Sequence, residues 1–240
     1  MSPFHPYTVF PLGDAGLIID FGNVIDEETN KKVLHLFHVL KNSLHPYITD
    51  VVPAYSSLAV YYNAIAVCQK KSNDKTAFET MAELIKNISE KNHEAPQQQA
   101  RLIEVPVCYA PKFSTDIEYI AQQNKIDVDE IIHLHTSKTY RVYMIGFLPG
   151  FAYMGQVDER IVIPRKPEPQ NVVAGTVGIA GVQTGIYPLD SPGGWQIIGR
   201  TPLKLFDKDK EQSVLFQPGD EIKFYSITED EFANYQAGRS

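Results

Sequence analysis

Val33, Leu36, Phe37 and Leu40 recur at i, i+3, i+4 and i+7, the spacing of one face of a helix. Asp26 stands where such a helix is capped. Phe78, Met81, Ile85 and Ile88 predict the buried stripe of a second helix beginning near Lys75. Before and between these helices the pattern is that of strands. Residues 8–22 (TVFPLGDAGLIIDFG) read as two short strands around a Gly13-Asp14 turn, and residues 51–62 (VVPAYSSLAVYY) as a strand that Pro53 breaks early. Residues 89–100 (SEKNHEAPQQQA) are almost devoid of large apolar side chains, which marks a boundary between a domain of residues 1–92 and one of residues 93–240. Beyond it Ile103, Val105 and Val107 alternate as in a half-buried strand. Two short helices follow, with capping-box spacing at Thr115/Glu118 and Asp127/Glu130. From Tyr140 onward the chain is short strands and turns, and Pro218-Gly219-Asp220 turns it into a last strand. The pattern predicts a small α+β domain followed by a closed or nearly closed β-barrel.

Composition narrows the classes. The 240 residues carry 43% hydrophobic and 21% charged side chains, enough for a packed core and too apolar for a disordered chain. The net charge of −7, without a basic run, argues against nucleic acid or an anionic membrane surface as partner. No apolar run reaches the ~18–20 residues of a membrane span. The N-terminus lacks a basic segment followed by an apolar one, so no signal peptide is expected. Cys68 and Cys108 form neither a disulfide framework nor a metal knuckle, which fits a reducing cytoplasm. Ten of the 15 glycines lie between Arg141 and Pro202, and Asp190 is the one formal charge between Glu168 and Arg200. So long an uncharged stretch lines a barrel interior or forms a surface that meets a protein or a neutral ligand.

That stretch holds the candidate chemistry. Gly194–Thr201 has the spacing of a phosphate-binding loop with Arg200 in place of lysine, but Pro202 and LKLFD follow where the mechanism needs a helix start. Two accounts stay open: a glycine turn that carries Trp195 and Arg200 towards a cleft, or Trp195 in the core and Arg200 in a structural ion pair. His133 and His135 are separated by one residue, as in a strand-borne metal pair, yet no third ligand has suitable spacing; no metal is expected in this chain. His135 is a candidate general acid/base, with a satisfied core histidine as the alternative. Gln183, Thr184 and Tyr187 can read a neutral amide or lactam, with barrel packing as the alternative for Thr184 and Tyr187, and Arg165 and Arg200 can take an anionic group bidentately. Phe147, Pro149 and Phe151 form a rigid aromatic turn that shapes a pocket wall or docks a partner. Gln183, Tyr187, Trp195, Arg200 and His135 are expected to converge on one concave surface.

Residues 140–153 (YRVYMIGFLPGFAY), 177–188 (VGIAGVQTGIYP), 191–202 (SPGGWQIIGRTP) and 205–207 (LFD) resemble the KipI / allophanate hydrolase subunit 1 family. Weaker agreement extends to LGDAG at 12–16, VPAYSSL at 52–58 and His135-Thr136. Two positions depart from the family pattern. Pro164-Arg165 is present, but Pro169 is followed by Gln170 rather than arginine, and the later motif reads Val173-Ala174-Gly175-Thr176. The resemblance implies a cyclophilin-like barrel as the second domain. It implies a component of an ATP-dependent complex that opens the 5-oxoproline lactam to glutamate, beside a KipA/PxpC-type homologous subunit and a PxpA-type subunit. ATP with Mg²⁺ is then needed by the complex, and no biotin is carried here. His135 and Arg200 become the catalytic candidates, with Arg165, Gln183, Thr184, Tyr187 and Trp195 binding substrate. The alternative that the resemblance implies is an inhibitor of a sensor histidine kinase. A prolyl isomerase is disfavoured, since fold alone does not carry activity.

Overall fold

The computed structural model describes residues 7–70, 75–91 and 100–238. The chain divides into two units, residues 1–99 and 100–240. Most of the expected boundary, residues 92–99, lies outside the described residues.

In the first unit, β1 (Thr8–Pro11) and β2 (Gly16–Asp20) form the expected hairpin, with Gly13 in the left-handed region. The helix α1 (Glu27–Asn42) starts at Asp26, whose carboxylate accepts the Thr29 N–H at 2.8 Å. The single strand expected over residues 51–62 is instead a hairpin of β3 (Ile48–Pro53) and β4 (Ser57–Tyr62). Pro53 ends β3, and the Ala54 N–H closes the turn on the Ser57 carbonyl. A short helix α2 (Ala64–Lys70), which the periodicity did not predict, precedes α3 (Ala77–Lys91). The sheet order is β1-β2-β4-β3, and Leu17, Ile19, Val33, Leu36, Leu40, Leu58, Val60, Met81 and Ile85 fill the core beneath it.

The second unit begins with β5 (Leu102–Cys108), then α4 (Ile117–Asn124) and α5 (Val128–Ser137). Neither predicted capping box forms. Asp116 caps α4 by position, but its carboxylate is drawn away to the Ile197 N–H at 2.7 Å and to Lys166 Nζ at 2.6 Å. Glu130, expected to cap α5, instead pairs with Arg160 at 2.9 Å. The strands β6 (Thr139–Ile145), β7 (Ala152–Gly155), β8 (Gln170–Val172), β9 (Thr176–Ala180), β10 (Gln183–Ile186), β11 (Ser191–Gly193), β12 (Gln196–Arg200) and β13 (Glu221–Ile227) follow. The last helix α6 (Glu229–Gln236) is held by a Thr228/Glu231 capping box that was not anticipated.

Seven strands close a barrel in the order β10-β7-β6-β13-β5-β12-β9, and β8 and β11 pair separately. The expected α+β unit followed by a closed barrel is therefore what the chain forms. Every neighbouring pair in the barrel is antiparallel except β5 and β13. Alternate residues such as Val105, Val107, Val142, Met154, Val177, Ile179, Ile186 and Phe224 fill its interior. Asp220, buried at the start of β13, accepts Arg101 Nε at 2.8 Å and the Gln217 N–H at 2.7 Å. Asp220→Ala is expected to lower barrel stability by about 1.5–3 kcal/mol, read by urea unfolding, because it strands both donors.

Candidate functional site

The glycines of β9 and β10 decide where the site forms. Side chains alternate across a strand, so Val177, Ile179, Thr184 and Ile186 face the interior while Gly178, Ala180 and Gly185 face outward. On that bare outer floor lies Trp195. A Cβ at Gly178 would sit 3.0 Å from the Trp195 Cβ, and one at Gly185 would sit 3.0 Å from its Cζ3 and 3.1 Å from the Phe151 ring. The floor is glycine because the indole occupies the space of the missing side chains. Gly185→Ala is expected to cost about 1–3 kcal/mol by overpacking and to shift the Trp195 emission, both measured in one thermal fluorescence scan.

Around the indole stand Phe151, edge-on at 5.4 Å, and Tyr153, at 6.1 Å between ring centroids. Tyr187 packs edge-on against Phe151 at 5.2 Å. Its hydroxyl accepts the Trp195 backbone N–H and lies against Gly193, where any side chain would overlap it. Burial raises the phenol pKa of both Tyr153 and Tyr187, so both rings are neutral at physiological pH. Phe151, Tyr187 and Trp195 are buried, and with Val172, Ala180 and Ile197 they form a second apolar cluster.

The turn over residues 146–151 puts Phe147 at φ +69°, a left-handed conformation that is costly for a bulky side chain, with its ring 64% exposed and edge-on to Phe151. Pro149 beside it is also exposed. The turn's two alternatives thus separate by residue: Phe151 packs in the wall, and Phe147 and Pro149 present themselves outward.

A second wall runs from Pro164 to Gln170. It is stitched to the Trp195 segment by the Lys166 N–H on the Gly194 carbonyl at 2.8 Å and by Gln196 Nε2 on the Pro164 carbonyl at 3.1 Å. Lys166 Nζ reaches Asp116 at 2.6 Å and Gln170 Oε1 at 2.9 Å, with both members of the ion pair largely buried. Gln170, which departs from the family's second arginine, is thereby engaged. Arg165, the neighbour of Lys166, is exposed and places its guanidinium 5.9 Å over the Trp195 ring. Among the described residues it has no hydrogen-bond or ion-pair partner.

His135 lies elsewhere. It is fully buried inside the barrel, stacked on Phe224 at 4.5 Å. Thr184 spends its one hydroxyl hydrogen on the Gly178 carbonyl at 3.1 Å, so His135 Nε2, 2.9 Å away, must donate to Thr184. Nδ1 then accepts from the Tyr109 hydroxyl at 2.7 Å. Burial lowers the imidazole pKa to about 3. This is the satisfied core histidine, not a base open to a ligand. Thr184, buried beside it, is likewise on the far side of the barrel wall from Trp195. His133 and His135 sit on helix α5, two positions apart, so they do not share a face as a strand-borne pair would.

Arg200 ends β12 with Nε on the Ala174 carbonyl at 2.9 Å and its guanidinium 6.0 Å from the Phe232 ring of α6. Phe232 belongs to a different apolar cluster, with Cys108 and Ile227. Gln183 shares the outer face of β10 with Gly185, two residues along, opposite Gly155 of β7. The expected convergence of five residues is therefore replaced by three surroundings: Tyr187 and Trp195 with Arg165, His135 with Thr184, and Arg200 with α6. Gly194–Thr201 enters strand β12 rather than a helix, so it lacks the phosphate-binding geometry. The residues that sequence reasoning missed are Tyr153, Lys166 and Asp116. Tyr153 stood inside the quoted GFLPGFAY motif, but no local pattern links Asp116 to Lys166, fifty positions on.

Residues 7–216 match the family model described as carboxyltransferase domain, subdomain C and D, and the chain belongs to this family. It is 37% identical over 232 residues to the 5-oxoprolinase B subunit of Bacillus subtilis (strain 168), covering 96% of this chain and 97% of that one. With the protein of the same name from Escherichia coli O157:H7 it shares 31% identity over 214 residues, 89% of this chain and 93% of the other. The crystal structure of TTHA0988 in space group P212121 superposes with a TM-score of 0.76 at 34% identity, over 88% of this chain. The chain spans 40% of that longer protein. The relationship read from the glycine-rich motifs is borne out. No helix among the described residues is long and apolar enough to cross a membrane.

Proposed function

We propose that the chain is the B-type component of a cytoplasmic, ATP-dependent 5-oxoprolinase, which opens the lactam of 5-oxo-L-proline to give L-glutamate. The observation that carries this reading is the end-to-end likeness to the Bacillus subtilis protein of that name, at 37% identity with almost no residue of either chain left over.

The site supports a share of the work. Opening an unstrained lactam needs a bound and oriented substrate, an activated carbonyl and a positioned nucleotide. Arg165 and the Trp195 cluster suit the substrate end: an open cation above an aromatic floor, flanked by neutral phenols. ATP with Mg²⁺ supplies the activation. The glycine-rich segment does not fit the nucleotide, because it runs into strand β12 rather than a helix start, and its Trp195 and Ile197 N–H groups are taken by Tyr187 and Asp116. The nucleotide and the attacking water are therefore assigned to the KipA/PxpC-type and PxpA-type partners. Phe147 and Pro149, exposed on their strained turn, are the groups by which this chain meets a partner. Co-purification tests this assembly: the chain is expected to form a stable complex with the KipA/PxpC-type subunit, and two proteins that migrate independently at micromolar concentration would count against it.

A further inference from the structure

Arg165 is exposed, carries a full charge and has no partner among the described residues, yet it is not a loose surface arginine. Its guanidinium lies over the Trp195 ring, and its backbone belongs to a wall fixed on both sides. The fixing element is Lys166–Asp116. Asp116 holds the Ile197 N–H, its own N–H reaches the Ile197 carbonyl at 2.9 Å, and its carboxylate takes Lys166 Nζ at 2.6 Å. The ion pair thus ties the strand that follows Trp195 to the residue next to Arg165. With its guanidinium 5.9 Å from the Trp195 centroid and no polar partner among the described residues, Arg165 keeps its N–H donors available to a planar two-oxygen acceptor.

We propose that Arg165 is the receptor for the carboxylate of a small substrate, and that Lys166 is a positioning residue holding it over Trp195. The proposal deepens the functional reading above and rests on it for the identity of the substrate. The pairing of the neighbouring charges favours a carboxylate over a phosphoryl group. Lys166 and Asp116 cancel, Asp190 is engaged by the Ala174 N–H at 2.7 Å, and Gln170 stands where a second arginine would have been. Arg165 is then a cation of this wall without an ion-pair partner among the described residues, which suits a monoanion. Lys166, the cation next in sequence, is held by Asp116 and Gln170 and is not free to help bind a phosphate dianion.

Trp195 is the sole tryptophan, so its fluorescence reports this site directly. The full chain is titrated with 5-oxo-L-proline, with 2-pyrrolidinone (the same lactam without the carboxylate) and with inorganic phosphate. 5-Oxoproline is expected to change the emission saturably, 2-pyrrolidinone to bind at least about tenfold more weakly, and phosphate to compete poorly. Arg165→Gln should weaken 5-oxoproline at least about tenfold, and Arg165→Lys should restore only part of the loss. Lys166→Met should weaken it by about tenfold with Arg165 intact, and Lys166→Arg should rescue it, which a merely structural lysine would not require. In the complex with its partner subunits, Arg165→Gln should raise KM far more than it lowers kcat. Equal binding of the two lactams, tighter binding of phosphate, or an unchanged Arg165→Gln variant overturns the proposal, as does the absence of any signal together with an unchanged KM. If the Arg165→Gln complex turns over like wild type, the carboxylate site falls and the oxoprolinase reading stands. If no complex hydrolyses 5-oxoproline but the isolated chain discriminates the two lactams through Arg165, the reverse holds.

Discussion

Lowering the pH from 7 to 5 is expected to cost the barrel about 2 kcal/mol of stability, through His135 alone. The imidazole is neutral in the folded state with its pKa lowered from 6.5 to about 3 by burial. The unfolded chain therefore binds a proton that the folded barrel refuses. The stabilisation is complete above pH 6.5 and is lost as pH falls towards 3, at about 1.4 kcal/mol per unit. The hydrogen bonds explain why the barrel cannot adapt. Tyr109 already donates to Nδ1, so a proton placed there faces the Tyr109 hydroxyl hydrogen, and the surrounding rings of Tyr140 and Phe224 offer no countercharge. Carboxylates such as Asp26, Asp158, Asp207 and Glu231, all with lowered pKa, act below this window. His38, also lowered by burial, belongs to the first unit, whereas Trp195 fluorescence follows the barrel. Urea unfolding read by Trp195 at pH 7 and pH 5 gives the result. His135→Gln, which keeps one donor and one acceptor, should start less stable and lose the slope between pH 6.5 and 5. Parallel pH profiles for the two proteins would remove His135 as the cause.

The same histidine shows what the amino-acid sequence carries and what it does not. Its alternatives, base or core, both stay open as a pattern, because nothing local says that Thr184, 49 positions away, will close the hydrogen-bond chain. The fold was legible where periodicity is long. Val33 to Leu40 and Phe78 to Ile88 predicted α1 and α3, and the glycine-rich strands predicted a barrel. It failed where tertiary partners override local chemistry: Glu130 pairs with Arg160 instead of closing a cap on α5, and α4 starts at Asp116 rather than at Thr115, with the Asp116 carboxylate taken by Lys166. Trp195 and Arg165 were each visible as candidates. Their meeting depends on Gly178 and Gly185 lying side by side on adjacent strands, which pairing register alone decides. Arg200 and Arg165 share in sequence the capacity to take an anionic group and differ in their surroundings, since Phe232 of an unpredicted helix receives Arg200.

The largest effect belongs to the complex. The isolated chain holds groups suited to one end of a lactam and none arranged for a nucleotide at its glycine-rich segment, so it is expected to release no glutamate from 5-oxoproline, with or without ATP and Mg²⁺. Positioning and activation together account for most of such a rate, and removing either leaves turnover lower by many orders of magnitude. The direct measurement is glutamate release from 5-oxo-L-proline by the KipA/PxpC-type and PxpA-type subunits with ATP and Mg²⁺, in the presence and absence of this chain. The account predicts release only when all three proteins are present, in step with ATP consumption; full release without this chain, or release by this chain alone, would contradict it.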